Sequence, residues 1–305
     1  MSREIAEADR DVGLTRDTTG TAPDARSLER PVPPLTEDVQ PGRGVVRVER
    51  AAARSVATRV FARSPLRLLT PRNHGHAAWV YTSTFGGGLV HGDRITLEIE
   101  VGEGAAAFVS SQASTKVYRS DRCSVTEVDA RVQRDGLLVL APDPVACFRG
   151  SRYRQIQRID LAAGAALVLI DSFTSGRRAF GERWAFDEYD TRLIVRSSGR
   201  LVLHDALALK TDDGPIASRL DRFEIIATAA LIGAPLHAQA ADLIMTVNAA
   251  PLERRPGLLC QASALRDGCL LRVAGTSVEQ VGHAVRDLLS CVPGLLGDDP
   301  WTYRW

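Results

Sequence analysis

The chain has 305 residues, 45% of them hydrophobic, and its 38 lysines and arginines nearly balance 37 aspartates and glutamates. A chain of this length can bury a large core, as one long domain or as two ordinary ones. The formal net charge of +1 provides no overall field that would attract nucleic acid or an anionic membrane surface, so we expect neither as a partner.

The cysteines and the N-terminus favour a cytoplasmic protein. The five cysteines are an odd number without CxxC spacing, which indicates reduced thiols and no disulfide framework. The first twenty residues lack the apolar centre of a secretion signal, and no apolar run is long enough to span a bilayer.

Composition divides the chain near residue 43. Residues 1–43 are polar, charged and without sustained periodicity, so we expect a flexible tail. Residues 44–305 read as a single β-rich domain, in which residues 220–305 form closing strand-helix units.

A glycine-rich stretch, "TSTFGGGLVHGD" at residues 82–93, is the first unusual feature. It lacks the Gly-Lys-Ser/Thr ending of a phosphate-binding loop. The segment after it, "RITLEIEV", alternates apolar and polar residues as a half-buried strand does. The stretch therefore predicts a hairpin or bulge loop between two strands, in which glycines adopt positive φ. Its four glycines are Gly86, Gly87, Gly88 and Gly92.

Repeated strand patterns predict a mainly β protein made of stacked, β-helix-like layers of strands. Glycines at 104, 136, 164 and 199 each precede an apolar run that ends on a polar residue, at a loose interval of about thirty residues. Because these runs are apolar on both faces, we expect both faces to be buried. Stacking would align the residues that end the runs in an acidic column beside the core; alternatively, each Asp caps the turn after its strand. These residues are Ser111, Asp143, Asp171 and Asp205.

Helices are expected only near the C-terminus, where two are predicted. The first covers about residues 234–248 and begins near Pro235. The second follows Ser277, which forms a capping box with Gln280.

Two charged segments do not fit a dry core. In "SRYRQIQR", a strand would place Arg152 and two further arginines on one face and Tyr153 with two glutamines on the other, so this strand lies at an edge or lines a wet space. In "GRRAFGERWAF", Arg177 and Glu182 predict a structural ion pair, with a functional carboxylate as the alternative.

Catalytic signatures are weak. There is no G-x-S-x-G elbow or nucleophilic cysteine signature. The "NHGH" segment contains His74 and His76, which favour a surface turn but leave open a metal-dependent enzyme that uses both imidazoles and nearby acids. A β-rich binding module is a third alternative, and the ungrouped tryptophans disfavour carbohydrate as its ligand.

Four segments in order resemble one family. They are "TFGGGLVHGD", "SSQASTKVYRS", "APDPVACFRGSRYRQ" and "DSFTSGRRAFGERW", and together they look like the blocks of the UreD (UreH) family of urease accessory proteins. The resemblance extends from about Val45 to the C-terminal "PWTYRW"; the long N-terminal tail and His91 depart from the family pattern. Besides the loop glycines, the motif residues are Lys116, Arg119, Arg152, Tyr153, Arg177 and Gly181.

The resemblance implies a non-enzymatic scaffold that binds no cofactor tightly. Such a protein would form a complex with a helical UreF-type accessory protein and a UreG-type nickel GTPase, dock on apo-urease, and provide a passage for transient nickel(II). Carboxylates hold Ni²⁺ less tightly than imidazole or thiolate, so an acidic lining would release the ion. The expected lining is Asp143, Asp171, Glu182 and Asp205, and Asp93 could serve either the passage or its own loop.

Overall fold

Seventeen β-strands and four α-helices make up the structure, a computed structural model that describes residues 40–251 and 253–302. The strands are β1 Gly42–Ala51, β2 Arg54–Arg63, β3 Leu66–Leu69, β4 Ala78–Thr84, β5 Arg94–Val101, β6 Ala106–Ser111, β7 Thr115–Val117, β8 Ser124–Val132, β9 Leu137–Leu140, β10 Val145–Cys147, β11 Arg152–Leu161, β12 Ala166–Thr174, β13 Glu188–Ser197, β14 Arg200–Lys210, β15 Ile225–Ile232, β16 Leu258–Leu265 and β17 Gly268–Gly275. The helices are α1 Ile216–Leu220, α2 His237–Ala249, α3 Val278–Leu288 and α4 Val292–Leu296.

The strands form two sheets with a common core. Sheet 1 has the order β14-β13-β11-β8-β5-β1-β2, and sheet 2 has the order β16-β17-β15-β12-β9-β6-β4-β3, with β7 and β10 as an added pair beside β12. From β4 to β13 the chain alternates between the sheets, and successive strands within each sheet run parallel. The predicted stack of β-helix-like layers is therefore confirmed.

Burial explains the two kinds of strand sequence. Strands β6, β9 and β12 are apolar on both faces because sheet 1 covers one face and helices α2 and α3 cover the other. Sheet 1 alternates, since its outer face carries ion pairs between neighbouring strands; Arg47 with Glu100 and Arg94 with Glu127 are two of these pairs. The period-2 pattern read in β5 follows directly from this arrangement.

The recurring glycines lie in the tight turns between layers, with one exception. Gly104 and Gly164 have positive φ in turns that lead from sheet 1 to sheet 2. Gly199 instead lies in a hairpin that joins β13 to β14 within sheet 1. The fourth apolar run therefore does not begin a new layer, and the interpretation that it stacks on the other three is wrong. A local glycine-plus-apolar pattern does not distinguish a crossover from a hairpin.

The helix predictions are confirmed in position. A 3₁₀ turn at Ala234–Leu236 leads into α2, and the backbone N–H of Gln280 donates to Ser277 Oγ at the start of α3 (3.3 Å). The short helices α1 and α4 were not expected.

Strand β1 begins at Gly42, two residues before the predicted start of the domain. Residues 1–39 of the predicted tail lie outside the described residues. Among the described residues, no helix has both the length and the apolar character needed to span a membrane.

Gly88 is held at a close approach that leaves no room for a side chain. A Cβ there would lie 2.5 Å from the carbonyl oxygen of Lys116 and 2.7 Å from the Tyr118 ring. We expect Gly88→Ala to lower the free energy of unfolding by about 1–3 kcal/mol through overpacking, measured by urea denaturation. Gly294→Ala is the control, because nothing lies within 4 Å of the added Cβ. Equal stability of the two variants would contradict this explanation.

Candidate functional site

All four family-like blocks meet at one end of the two-sheet stack. The crossovers at 85–93, 112–123, 141–151 and 175–187 each leave the carboxyl end of a parallel strand of sheet 2 and lead to the amino end of a strand of sheet 1. We call these four crossovers the loop end. The turns at the opposite end are short, so the loop end is where the scaffold can present functional side chains.

Backbone conformation explains why the first crossover, residues 85–93, is rich in glycine. Gly86, Gly87 and Gly92 have positive φ, as the sequence predicted for this loop, and so does His91 (φ 55°). Gly88 is extended and is needed for the close contact with Lys116. Because β4 and β5 belong to different sheets, the loop is a crossover and the prediction of a hairpin is wrong.

A cavity of about 190 Å³ lies between the sheets and reaches the loop end. On the sheet 1 side its wall includes the inner face of β11, which is a central strand; the alternative that "SRYRQIQR" forms an edge is therefore wrong. Its loop-end wall includes Gly87 and Lys116, both of which are also exposed at the surface. Much of the wall is apolar, with residues such as Leu97, Val109 and Leu140. Its polar residues include Thr82, Ser111, Thr126, Asp143, Tyr153, Gln155 and Gln157.

A chain of hydrogen bonds continues the polar wall into the interior. The Tyr153 hydroxyl donates to Gln155 Oε1 (3.0 Å), and Gln155 Nε2 donates to Asp171 Oδ1 (2.9 Å). Thr191 Oγ1 donates to Asp171 Oδ2 (3.3 Å). The Nε2 group of Gln157, a residue only 2% exposed, has no hydrogen-bond partner among the described residues. This interior therefore offers oxygen acceptors together with an unsatisfied donor, which suits a polar occupant.

Asp171 is the buried carboxylate in this chain of hydrogen bonds. Burial raises its pKa above the ordinary 3.8, whereas the hydrogen bonds from Gln155 and Thr191 act in the opposite direction. The negative charge of Asp205 raises that pKa further. The buried carboxyl group is thus more easily protonated than an exposed one.

Asp205 connects this interior to the open edge of the stack. It lies on the edge strand β14, with its side chain 22% exposed, and forms an ion pair with Arg272 of β17. Arg272 is aligned with Thr228, and Thr228 is aligned with Asp171, so the three side chains share one face of sheet 2. Polar groups therefore extend from the cavity to the Asp205–Arg272 pair.

Asp143 lies at the margin of the cavity. Ser111 Oγ donates to Asp143 Oδ2 (2.9 Å) and accepts from the backbone N–H of Asp143 (2.7 Å). Ser111 ends β6 and Asp143 follows β9, and these neighbouring parallel strands bring the two residues together.

Glu182 belongs to an ion pair within the fourth crossover of the loop end. Arg177 Nε donates to Glu182 Oε2 (3.0 Å), and the backbone N–H of Arg149 donates to the same oxygen (3.2 Å). The Arg177 guanidinium lies 4.2 Å from the centre of the Phe148 ring. The structural ion pair expected from the sequence is present, and Glu182 is not among the residues that line the cavity.

The Glu182–Arg177 pair predicts a pH-dependent stability. Arg177 holds the pKa of Glu182 below its ordinary 4.5, so the stabilisation is present above that value and is lost as the pH falls through the folded-state pKa. We expect Glu182→Gln to lower the melting temperature at pH 7, with a difference that shrinks below pH 4.5. A difference that is the same at pH 7 and pH 3.5 would contradict this assignment.

The remaining motif residues support the loops. The backbone N–H of Val90 donates to the Asp93 carboxylate within the same turn (2.9 Å), and Asp93 is not in the cavity wall. The Arg119 side chain packs against Gly150, because a Cβ added to Gly150 would lie only 3.3 Å from Arg119 Cγ. Arg152 pairs with Asp187 (3.5 Å), and Gly181 ends a 3₁₀ turn in the left-handed conformation.

His74 and His76 lie in the turn between β3 and β4. The backbone N–H of His74 donates to Asp298 (2.8 Å), and that of His76 donates to the Leu296 carbonyl oxygen (3.2 Å). Within residues 40–251 and 253–302, no group of three or more His, Cys, Asp or Glu is arranged to hold a metal. The turn is therefore structural, and its neighbours do not complete a metal site.

Thr126 and Thr191 were not predicted as site residues. Thr126 of β8 and Thr191 of β13 are aligned with Gln155 of β11, one on each side, and Thr126 lines the cavity. The sequence signal for both was their position on the inward face of a sheet 1 strand, where the next strand outward has an apolar residue, Ile95 beside Thr126 and Leu207 beside Thr191.

Comparison with known proteins identifies relatives along most of the chain. A family model described as UreD urease accessory protein matches residues 40–304. A urease accessory protein UreD from Sorangium cellulosum (strain So ce56) is 50% identical over 265 residues, covering 87% of this chain and 84% of that protein. A UreD from Anaeromyxobacter sp. (strain Fw109-5) is 43% identical (90% and 95% covered), and urease accessory protein D from Arabidopsis thaliana is 32% identical (85% and 99% covered).

Proposed function

Because the chain belongs to the UreD family of urease accessory proteins, we propose that it is a non-catalytic maturation factor through which nickel passes to apo-urease. In this proposal a helical UreF-type protein and a UreG-type nickel GTPase deliver Ni²⁺ to the scaffold. The ion is a cargo that the chain holds transiently.

The observation that carries the proposal is the cavity between the sheets, which reaches the loop end and places polar groups along one part of an otherwise apolar wall. A protein interior is normally close-packed, and polar groups in it are normally satisfied. Here an unsatisfied Gln157 amide and a buried Asp171 lie at or next to the cavity. Water and a hydrated cation would satisfy both.

The donor types suit transfer better than storage. Ni²⁺ binds imidazole and thiolate strongly, and the described wall of the cavity contains neither His nor Cys. Hydroxyl, amide and isolated carboxylate oxygens bind the ion weakly, so it can leave again. A cation next to Asp171 favours the ionised carboxylate and so opposes the effect of burial, which raises the pKa of this group.

The polar groups suggest a direction across the scaffold. Ser111 and Asp143 lie at the loop-end margin of the cavity, Gln155 and Asp171 lie at its inner side, and Asp205 lies at the open edge. We infer that nickel enters or leaves at the loop end and that the Asp205–Arg272 pair marks the second opening.

The test is urease maturation with and without this chain. Urease subunits are expressed with the other accessory proteins in nickel-supplemented cells, and urease is then purified for metal analysis and activity. Nickel-poor, inactive urease when this chain is omitted supports the proposal. Full nickel loading without the chain would refute it.

A further inference from the structure

The loop end carries an excess of positive charge. Among its exposed charged side chains, Asp121 is the one acid; the cations are Lys116, Arg119, Arg122, Arg149 and Arg178. Within the described parts of the chain, four of these cations form no ion pair: Lys116, Arg119, Arg149 and Arg178. Other arginines of the same crossovers are neutralised, as Arg177 is by Glu182. The excess is therefore confined to side chains that face solvent.

Exposed aromatic side chains accompany these cations. Phe180, at the tip of the fourth crossover, is 74% exposed, and Phe85 in the glycine-rich crossover is 53% exposed. Val90 is also exposed. Apolar side chains of this size on exposed loops, next to arginines, are typical of protein-protein contact surfaces.

One of these charges lies at an opening of the cavity. Lys116 is both exposed and part of the cavity wall. The positive charge of Lys116 and of the other loop-end cations opposes the approach of free Ni²⁺ from solvent, because like charges repel. An acidic surface placed over the loop end would neutralise this positive charge.

We propose that the loop end is the docking surface for an acidic protein surface with an apolar recess that receives Phe180. The proposal rests on the proposed function for its choice of partners. It assigns to docking a second effect: the partner's carboxylates remove the positive barrier at the opening, so that nickel passes only in the assembled complex. We favour a protein over a membrane or nucleic acid because the aromatics project among the cations and the chain's net charge is only +1.

Binding measurements with matched variants test this surface. The full-length chain is titrated against the purified UreF-type protein and against apo-urease by biolayer interferometry at low and moderate salt. The test variants are Phe180→Ala and the triple charge reversal Lys116→Glu, Arg149→Glu, Arg178→Glu. The controls are Met245→Ala, at a residue that is 64% exposed on α2, and Arg200→Glu, at an exposed position in the β13–β14 turn away from the loop end.

We expect both test variants to weaken binding to one of the two proteins at least tenfold, while the controls stay within about twofold. The charge reversal should also flatten the salt dependence of that binding. If both test variants bind both proteins as the wild-type chain does, the proposal that the loop end is a docking surface is wrong. If the same variants still support urease maturation, the proposed function stands independently of that result. Binding of the wild-type chain to phosphatidylglycerol vesicles but to neither protein would overturn the choice of a protein partner.

Discussion

Filling the cavity at Thr126 is expected to abolish most nickel delivery while leaving the fold intact. Thr126 lies on β8 with its side chain in the cavity wall, next to Gln155 on β11. In Thr126→Phe the larger apolar side chain would occupy the space between the sheets and remove one of the polar groups of its wall. An apolar constriction excludes water and hydrated ions, so we expect nickel transfer to apo-urease to fall about tenfold or more.

Two matched variants separate obstruction from other effects. Thr126→Val has nearly the same shape as the native side chain and keeps the cavity open, so it should retain most of the transfer. Arg131→Phe adds the same aromatic group at an exposed position of the same strand. Circular dichroism and thermal melts establish folding of all three. Equal nickel transfer by Thr126→Phe and Thr126→Val would show that the ion does not use this cavity.

Removing the charge of Asp171 is expected to increase stability and decrease nickel transfer. An Asp171→Asn side chain keeps the shape and can still accept from Gln155, while the Thr191 hydroxyl can turn to accept from the new amide. Without the carboxylate, the interior loses its charged oxygen ligand. We expect nickel transfer to fall roughly tenfold.

The stability change has a definite pH dependence. Below the ordinary pKa of 3.8 the carboxyl group is protonated in both the folded and unfolded states and carries no desolvation penalty. As the pH rises through that value towards the raised folded-state pKa, the wild-type protein loses stability relative to Asp171→Asn. The variant should therefore melt higher than wild type at pH 8, with a smaller difference at pH 4.

Asp160→Asn provides the control for Asp171→Asn, because Asp160 is exposed on the outer face of β11. It should alter neither nickel transfer nor the pH dependence of melting. If Asp171→Asn gains stability yet transfers nickel at the wild-type rate, the Asp171 carboxylate does not take part in nickel transfer.

Local patterns predicted most of the strands because the two sheets differ in solvent exposure. Strand β5 shows alternation since one face of sheet 1 is in water, and β12 begins with the continuous apolar run 166–170 since both of its faces are covered. Strands β7 and β10, with three residues each, are too short to produce a period. Their pairing depends on crossovers that are adjacent only after the layers stack.

The site was harder to predict, because it depends on pairings across the core. "SRYRQIQR" signalled a wet inner face, yet only the stack shows that Gln155 meets Asp171 of the opposite sheet. The expected acidic column divides into separate environments in the structure. Asp143 binds Ser111, Asp171 accepts from Gln155, and Asp205 pairs with Arg272. Glu182 pairs with Arg177, and Asp93 caps its own turn. Carboxylates that look equivalent in sequence differ because each meets a different partner in space.

Transfer of nickel in the presence of an external chelator tests the central claim most directly. The assembled complex, with nickel loaded on the GTPase and apo-urease docked, is triggered after addition of excess EDTA, and the nickel content of urease is measured. If the ion moves inside this chain, urease should gain nickel despite the chelator with wild-type protein and Thr126→Val, but not with Thr126→Phe. Loss of nickel to EDTA with the wild-type protein, or protected transfer with Thr126→Phe, would contradict an internal passage between the two sheets.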